Sequence, residues 1–291
     1  MDKINLYYWA GHKNFGDVLS PMLIEELSGI PTQLKISKDV IFNTKKALKA
    51  FLKFDTNTLK TIEMPWERTI YAVGSIIKNG NKRSLIWGSG FMNDHESFGG
   101  GTVYAVRGKF TDERLENLGQ KKCNVYGDPA LLLPLWIKGE TNKKHKLGII
   151  PHWLEADKFI DEFSTSKVID LRTDDIHGVI KDITSCEYIL STSLHGVIVA
   201  HAYGIPALWI QEGYIETDGF KFRDYFSSVN IPLYEGIKNF ADQIREDTWI
   251  NLFNENPTKT IINVSLHDIQ KKLLKAAPFP LKAQYKILAD E

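Results

Sequence analysis

The sequence predicts an α/β protein made of two Rossmann-like lobes. Three observations carry that prediction. Short apolar runs of strand length alternate with helical segments along most of the 291 residues. Glycine-rich turns follow many of those runs, as at the strand ends of parallel units joined by crossovers. A polar, charged stretch from Lys138 to Lys146 interrupts the alternation near the middle, where a linker between lobes belongs. The expected division is residues 1–140 for the first lobe and 141–262 for the second. A helical tail, 263–291, is expected to pack back on the first lobe.

Ile4 to Trp9 reads as the first strand. The turn formers from Ala10 to Pro21 follow, with a helix from Met22 to Leu27 and Pro21 in its first turn. Asn14, Gly16 and Asp17 are candidate ligand contacts near that helix start, where glycine lets backbone approach a ligand closely. A purely structural turn is the competing reading. The spacing is neither the dinucleotide fingerprint nor the phosphate loop. Residues 32–60 are rich in Lys and Thr, with apolar patches at Val40–Phe42 and Ala50–Phe54; they read as a weak strand and helix or as a variable loop.

Thr69 to Val73 and Leu85 to Trp87 read as strands. The second enters Gly88-Ser89-Gly90-Phe91, which makes Ser89 a candidate contact. Val103 to Val106 is a strand ending at Arg107, whose forked cation suits an anion or an ion pair. A helix from Phe110 to Leu118 stops at Gly119. Asn124 to Tyr126 leads into Gly127-Asp128-Pro129, where Asp128 is either a backbone cap or a chemical group.

Leu147 to Ile150 resumes the strands beyond the linker, and His152 and Trp153 follow as a ligand wall or as the edge of the core. A short helix at Phe159–Phe163, a strand at Lys167–Leu171 and a helix around Val179–Ile183 come next. Tyr188 to Leu190 then ends in Ser191-Thr192-Ser193-Leu194-His195-Gly196. A helix from Val197 to Tyr203 stops at Gly204, and Ala207 to Ile210 is the next strand. Ligands of open parallel sheets lie beyond the carboxyl ends of strands. His195 and Ser193 occupy such a place. The charged stretch Gln211 to Tyr225 offers Glu216, Lys221 and Arg223 as a substrate clamp, or is a surface loop and cap. Ile237 and Phe240 suit a helical face, and a further helix spans Ile269 to Ala276.

Composition excludes several classes. Lys plus Arg equal Asp plus Glu at 36 each, which gives no general case for nucleic-acid binding. Cys123 and Cys186 have no metal-ligand spacing, so neither a disulfide framework nor a metal site is expected, and no cofactor is implied. The N-terminal stretch lacks a secretory pattern, and no run is long and apolar enough to span a membrane. The expected location is cytoplasmic.

Five segments in order, NFGDVLSPM, WGSGF, VYAVRG, YGDPALLLP and TSLHGVIVAHAYGIPAL, resemble the polysaccharide pyruvyltransferase family. The likeness runs from the Gly16-Asp17 region through Tyr225. It implies a GT-B-like arrangement with the acceptor on the first lobe and the donor on the second. It further implies transfer of the pyruvyl group of phosphoenolpyruvate to a saccharide or lipid-linked glycan. The product is a pyruvate ketal, inorganic phosphate is released, and peripheral membrane association is among the expected partnerships.

Carried onto matching positions, the resemblance makes His195, Arg107 and Asp128 the catalytic candidates. Asn14, Gly16, Asp17, Ser89, His152, Ser193, Glu216, Lys221 and Arg223 are the substrate-binding ones, with no metal. In the implied mechanism Arg107 and Lys221 neutralise the donor, His195 protonates its methylene, and Glu216 or Asp218 accepts a hydroxyl proton. Many members carry Arg between the serine and histidine of the central segment; here Leu194 removes that anion contact. A glycosyltransferase using a nucleotide-sugar donor, with His195 and Arg223 on its phosphates, and a noncatalytic glycan-binding or assembly protein are the alternatives.

Overall fold

Strand β1 (Ile4–Tyr7) and helix α1 (Phe15–Ser28) begin the computed structural model, which describes residues 3–11, 13–36, 48–49, 51–53, 55–213 and 217–291. The patch Val40–Phe42 and Glu216 lie outside the described residues. The helix starts earlier than the sequence suggests because Asn14, in extended conformation, caps it by accepting the Gly16 N–H. Pro21 therefore sits inside the helix and leaves the Asp17 carbonyl without its helical donor. Leu19, Leu23, Ile24 and Leu27 form the buried stripe of α1. Gly29, at φ 72°, ends it in the left-handed conformation that glycine adopts without strain.

The first lobe continues with β2 (Thr32–Leu34), α2 (Thr56–Thr61), β3 (Thr69–Tyr71), β4 (Ser84–Trp87), β5 (Thr102–Ala105) and α3 (Lys109–Asn117). Its five strands are all parallel, in the order β2-β1-β3-β4-β5. The apolar run after Asp128 is a buried 3-10 helix, Pro129–Leu135, capped by Asp128 and containing Pro134. Tyr126, at the end of the segment leading into Gly127, makes an isolated bridge to Val106.

The second lobe comprises β6 (His145–Ile150), α4 (Ala156–Glu162), β7 (Lys167–Val168), α5 (Ile176–Thr184), β8 (Cys186–Ser191), α6 (Leu194–Ala202), β9 (Ala207–Trp209) and α7 (Phe220–Ser228). Its sheet is also wholly parallel, ordered β7-β6-β8-β9. Ile237, expected on a helical face, instead bridges Ile210. Short helices α8 (Ala241–Arg245) and α9 (Ile250–Glu255) bring Phe240, Trp249 and Phe253 onto the outer face of the second sheet.

Helices α10 (Leu266–Lys275) and α11 (Ala283–Asp290) contact the first lobe. The Trp87 indole N–H donates to the Leu273 carbonyl at 2.9 Å, Gln270 donates to the Leu131 carbonyl, and the Tyr285 hydroxyl donates to Glu26. One apolar core runs through both lobes, joining Leu6, Leu23 and Trp87 to Ile150, Val197 and Tyr225. Fully burying each such side chain contributes about 1.5–3 kcal/mol, so the seam between lobes is held largely by apolar packing.

Candidate active site

In each sheet the strand order reverses between two central strands. That reversal falls between β1 and β3 in the first lobe and between β6 and β8 in the second. At such a switch point the flanking connections leave to opposite faces and open a crevice beyond the strand ends. Asn14, Gly16 and Asp17 follow β1; His152 follows β6; Thr192, Ser193 and His195 follow β8. The two crevices meet: a Cβ added to Gly16 would stand 2.2 Å from His195 Nδ1. Phe15 also donates its N–H to the Leu171 carbonyl across the seam at 2.8 Å.

His195 lies in the first turn of α6, which has no side-chain cap. Its Nε2 is buried with no hydrogen-bond partner among the described residues. Burial lowers its pKa to about 3, with Lys221, Arg107 and His152 adding to the effect, so the ring is neutral at neutral pH. His152 is similar. Its backbone N–H is held by the Thr192 hydroxyl at 2.7 Å, its Nδ1 is buried without a partner, and burial and then Lys221 bring its pKa to about 4.

Lys221, at the start of α7, is buried and has no hydrogen-bond or ion-pair partner among the described residues. Its ammonium lies 5.4 Å from the Phe222 ring centroid. Burial, and then the Arg107 charge, lower its pKa to about 8, against a pull from Glu155. The ammonium is thus largely charged at neutral pH and lacks a counter-ion contact.

Two carboxylates complete the surroundings. Asp17 receives the Asn14 side-chain amide at 2.8 Å, yet burial raises its pKa to about 7. Glu155 was not singled out in the sequence; its Oε2 is buried without a partner, and burial raises its pKa while Thr192 opposes the shift. Only its neighbours in space mark Glu155, and they come from other strand-end loops.

Other expected contacts have different employment. Arg107 is fully buried and donates through Nε to Asp224 at 2.9 Å, through Nη1 to Ser75 at 2.6 Å, and through Nη2 to the Phe91 carbonyl. Asp224, on α7, also takes the Thr111 N–H and hydroxyl, so the pair ties the lobes together. All three guanidinium nitrogens of Arg107 are thus engaged in contacts within the protein. Gly90 and Gly108 permit them, since a Cβ at either would collide with this pair.

Asp128 caps the 3-10 helix through Oδ1, while Oδ2 is buried and unpartnered; burial raises its pKa to about 6, opposed by Ala130 N–H and Arg107. Ser89 spends its hydroxyl on the Gly74 carbonyl and the Ile76 N–H. Ser193 meets Ser191 through its backbone. Arg223 pairs with Glu235 instead of facing the crevice partners. Asp218, expected as a base, has its oxygens on the Asp94 and Phe220 N–H groups. Among the described residues no cluster of His, Cys, Asp and Glu is arranged to hold a metal ion.

Two parallel α/β lobes whose switch points adjoin, with a lysine and two neutral imidazoles brought together at the junction, make a Rossmann-like two-lobed arrangement. The family model for polysaccharide pyruvyl transferase matches residues 14–213, which run from the helix cap of the first lobe past β9. The chain belongs to that family. It is also 31% identical over 231 residues to the uncharacterized protein L143 of Acanthamoeba polyphaga mimivirus, covering 75% of this chain and 80% of the relative. No solved structure matches it.

Proposed function

We propose that the protein transfers the pyruvyl group of phosphoenolpyruvate to a saccharide or lipid-linked glycan, forming a pyruvate ketal in a GT-B-like cleft. The observation that carries this reading is Lys221, a largely buried lysine whose ammonium makes no hydrogen bond or ion pair among the described residues, near two imidazoles that each keep a buried ring nitrogen unpartnered. A small, highly charged donor supplies what all three lack. Its anion meets Lys221, and its oxygens reach the free ring nitrogens, as charge-assisted hydrogen bonds favour.

His195 is neutral at neutral pH, so its role as acid depends on the donor. Negative charge brought against the ring raises its proton affinity, and the imidazolium forms only with the donor in place. It then protonates the donor methylene, and C2 becomes electrophilic. An acceptor hydroxyl adds to C2, the C2–O bond to phosphate breaks, and a second hydroxyl closes the ketal. Of the two hydroxyl protons lost, one balances that delivered to the new methyl group and the other leaves with phosphate.

Asp17 is the base for an acceptor hydroxyl. It stands on the first lobe beside Gly16, and its pKa of about 7 suits proton transfer at neutral pH. Lys221 stabilises charge on the departing phosphate. Arg107 contributes through the seam and its positive field.

The test supplies phosphoenolpyruvate and nucleotide sugars separately with a panel of glycan acceptors and reads products by mass spectrometry. A ketal mass gain with phosphate release is expected. A hexose-sized gain with nucleotide release would instead establish glycosyl transfer. Binding of glycans without turnover of any donor would leave a binding or assembly protein.

A further inference from the structure

A ketal is closed by two hydroxyl groups, and each must lose its proton. Asp17 serves one of them from the first lobe, which leaves the other without a base. The turn after β6 carries a carboxyl that the fold itself does not use. Glu155 stands at the start of α4, where an acidic side chain ordinarily serves the exposed N–H groups, yet it makes no capping bond. Its backbone N–H donates to the His152 carbonyl at 2.8 Å, which closes the turn and fixes the residue beside the strand end. Its Oε2 is buried with no hydrogen-bond partner among the described residues. A buried carboxyl oxygen left unpaired costs free energy, so its place is explained by a group that binds it.

The neighbours of Glu155 identify the chemistry of that group. The Thr192 hydroxyl accepts the His152 N–H at 2.7 Å, so its own proton remains to donate, and its effect on Glu155 is that of a donor. Lys158 is engaged with Glu212 at 2.6 Å. Of the cations acting on Glu155 that leaves Lys221, and the two attract one another without forming an ion pair. A pocket built only for an anion gains nothing from such a carboxyl, which repels the anion and offsets the cation. A hydroxyl suits both residues: its proton is donated to the carboxyl while its oxygen accepts from the ammonium.

We propose that Glu155 is the second general base of the reaction and takes the proton of the acceptor hydroxyl that closes the ketal. The proposal rests on the transfer reading and completes its proton inventory. After the C2–O bond to phosphate breaks, the second hydroxyl oxygen bonds to C2, its O–H bond breaks toward Glu155, and that proton passes to the departing phosphate. Burial raises the proton affinity of Glu155, as suits a carboxyl that must take up a proton. One base on each lobe also restricts the acceptor to a sugar presenting two neighbouring hydroxyls, because a lone hydroxyl cannot use the second base.

The experiment gives the full chain and its Glu155→Gln variant phosphoenolpyruvate and a diol sugar, and reads phosphate release together with the proton NMR spectrum of the product. Without the second base, the adduct left when phosphate departs returns its methyl proton to His195 and leaves as an enolpyruvyl ether, or is captured by water and yields pyruvate. The ether and the ketal have the same mass, but vinyl signals replace the ketal methyl signal. Phosphate release is expected to persist in Glu155→Gln while the ketal falls about a hundredfold. Wild type given the same sugar with one of the two hydroxyls methylated should reproduce that pattern. Glu155→Asp, which withdraws the carboxyl without removing it, should give a ratio of ketal to phosphate between the two, and urea melts establish that each variant is folded. An unchanged ratio in Glu155→Gln, whether ketal and phosphate both persist or both fall together, would overturn the role of Glu155 and leave the transfer reading standing. Wild-type protein that releases no phosphate with any diol would sink the transfer reading and this inference with it.

Discussion

Lys221→Met removes a charge that the folded protein holds at a cost. The side chain is buried and its pKa falls from 10.5 to about 8. At about 1.4 kcal/mol per tenfold change in proton affinity, that is roughly 3 kcal/mol of strain carried by the charged form. The sign follows from proton counting. Between about pH 8 and 10.5 the unfolded chain binds the proton and the folded chain does not, so Lys221 makes folded stability rise with pH there. Below about 8 both states are charged and the penalty is constant.

Methionine keeps the length and apolar stem, so Lys221→Met should stabilise the protein at pH 7 by about 1–3 kcal/mol, after allowance for imperfect packing. The gain should shrink as pH approaches 10.5. Turnover should fall by at least about a hundredfold, because the donor loses its cation. Urea melts of wild type and variant across pH 7–10 read the stability, and phosphate release reads the turnover. A variant less stable than wild type at pH 7 would mean that Lys221 has a stabilising partner in the free enzyme, and the argument would fail. Retained turnover would remove Lys221 from the chemistry.

Gly16→Ala should leave stability within about 2 kcal/mol, since helix propensity offsets part of the clash, but should cut kcat by about a hundredfold by displacing the His195 ring; a melt paired with phosphate release separates the two. The rate in kcat/KM should rise through about pH 7 as Asp17 ionises, and Asp17→Asn should abolish that limb in a pH profile. Because its folded pKa lies above its unfolded value, Asp17 makes the protein lose stability as pH rises from about 4 to 7, and Asp17→Asn should remove that slope from urea melts. Asp224→Asn should destabilise by about 3–5 kcal/mol, the cost of stranding buried Arg107, as measured by denaturant titration; an unchanged midpoint with a raised KM for phosphoenolpyruvate would restore Arg107 to direct donor contact.

Much of the architecture was legible because strand-length apolar runs and their glycine-rich ends recur in register with the parallel units. The place of His195, four residues past the end of its strand and in the first turn of the following helix, followed from residues adjacent in sequence. The employment of Arg107 did not, since its partner Asp224 lies 117 residues away and nothing local distinguishes an ion pair from an anion site. Leu131 to Leu135 is fully apolar at most positions, which suits a strand and a buried 3-10 helix equally; Asp128 capping and Pro134 decide for the helix. Glu155 escaped because a single glutamate after a strand is ordinary, and only folding brings Thr192 and Lys221 toward it. Asp17 was found through its helix-start position, but its proton affinity is a property of the closed seam.

The contacts of α10 and α11 have a consequence for synthesis. Trp87 waits for Leu273, 186 residues downstream, and Glu26 waits for Tyr285, 259 residues downstream. Chains emerge from the ribosome over many seconds, and domains tend to fold in the order they appear. Here the order is inverted: the sheet made first is finished by helices made last, while the later sheet can close on more local contacts. During translation the first lobe would expose the indole of Trp87 and the faces around it for most of that interval. Nascent chains arrested before residue 266 should therefore be more protease-sensitive in residues 3–135 than chains arrested after residue 290.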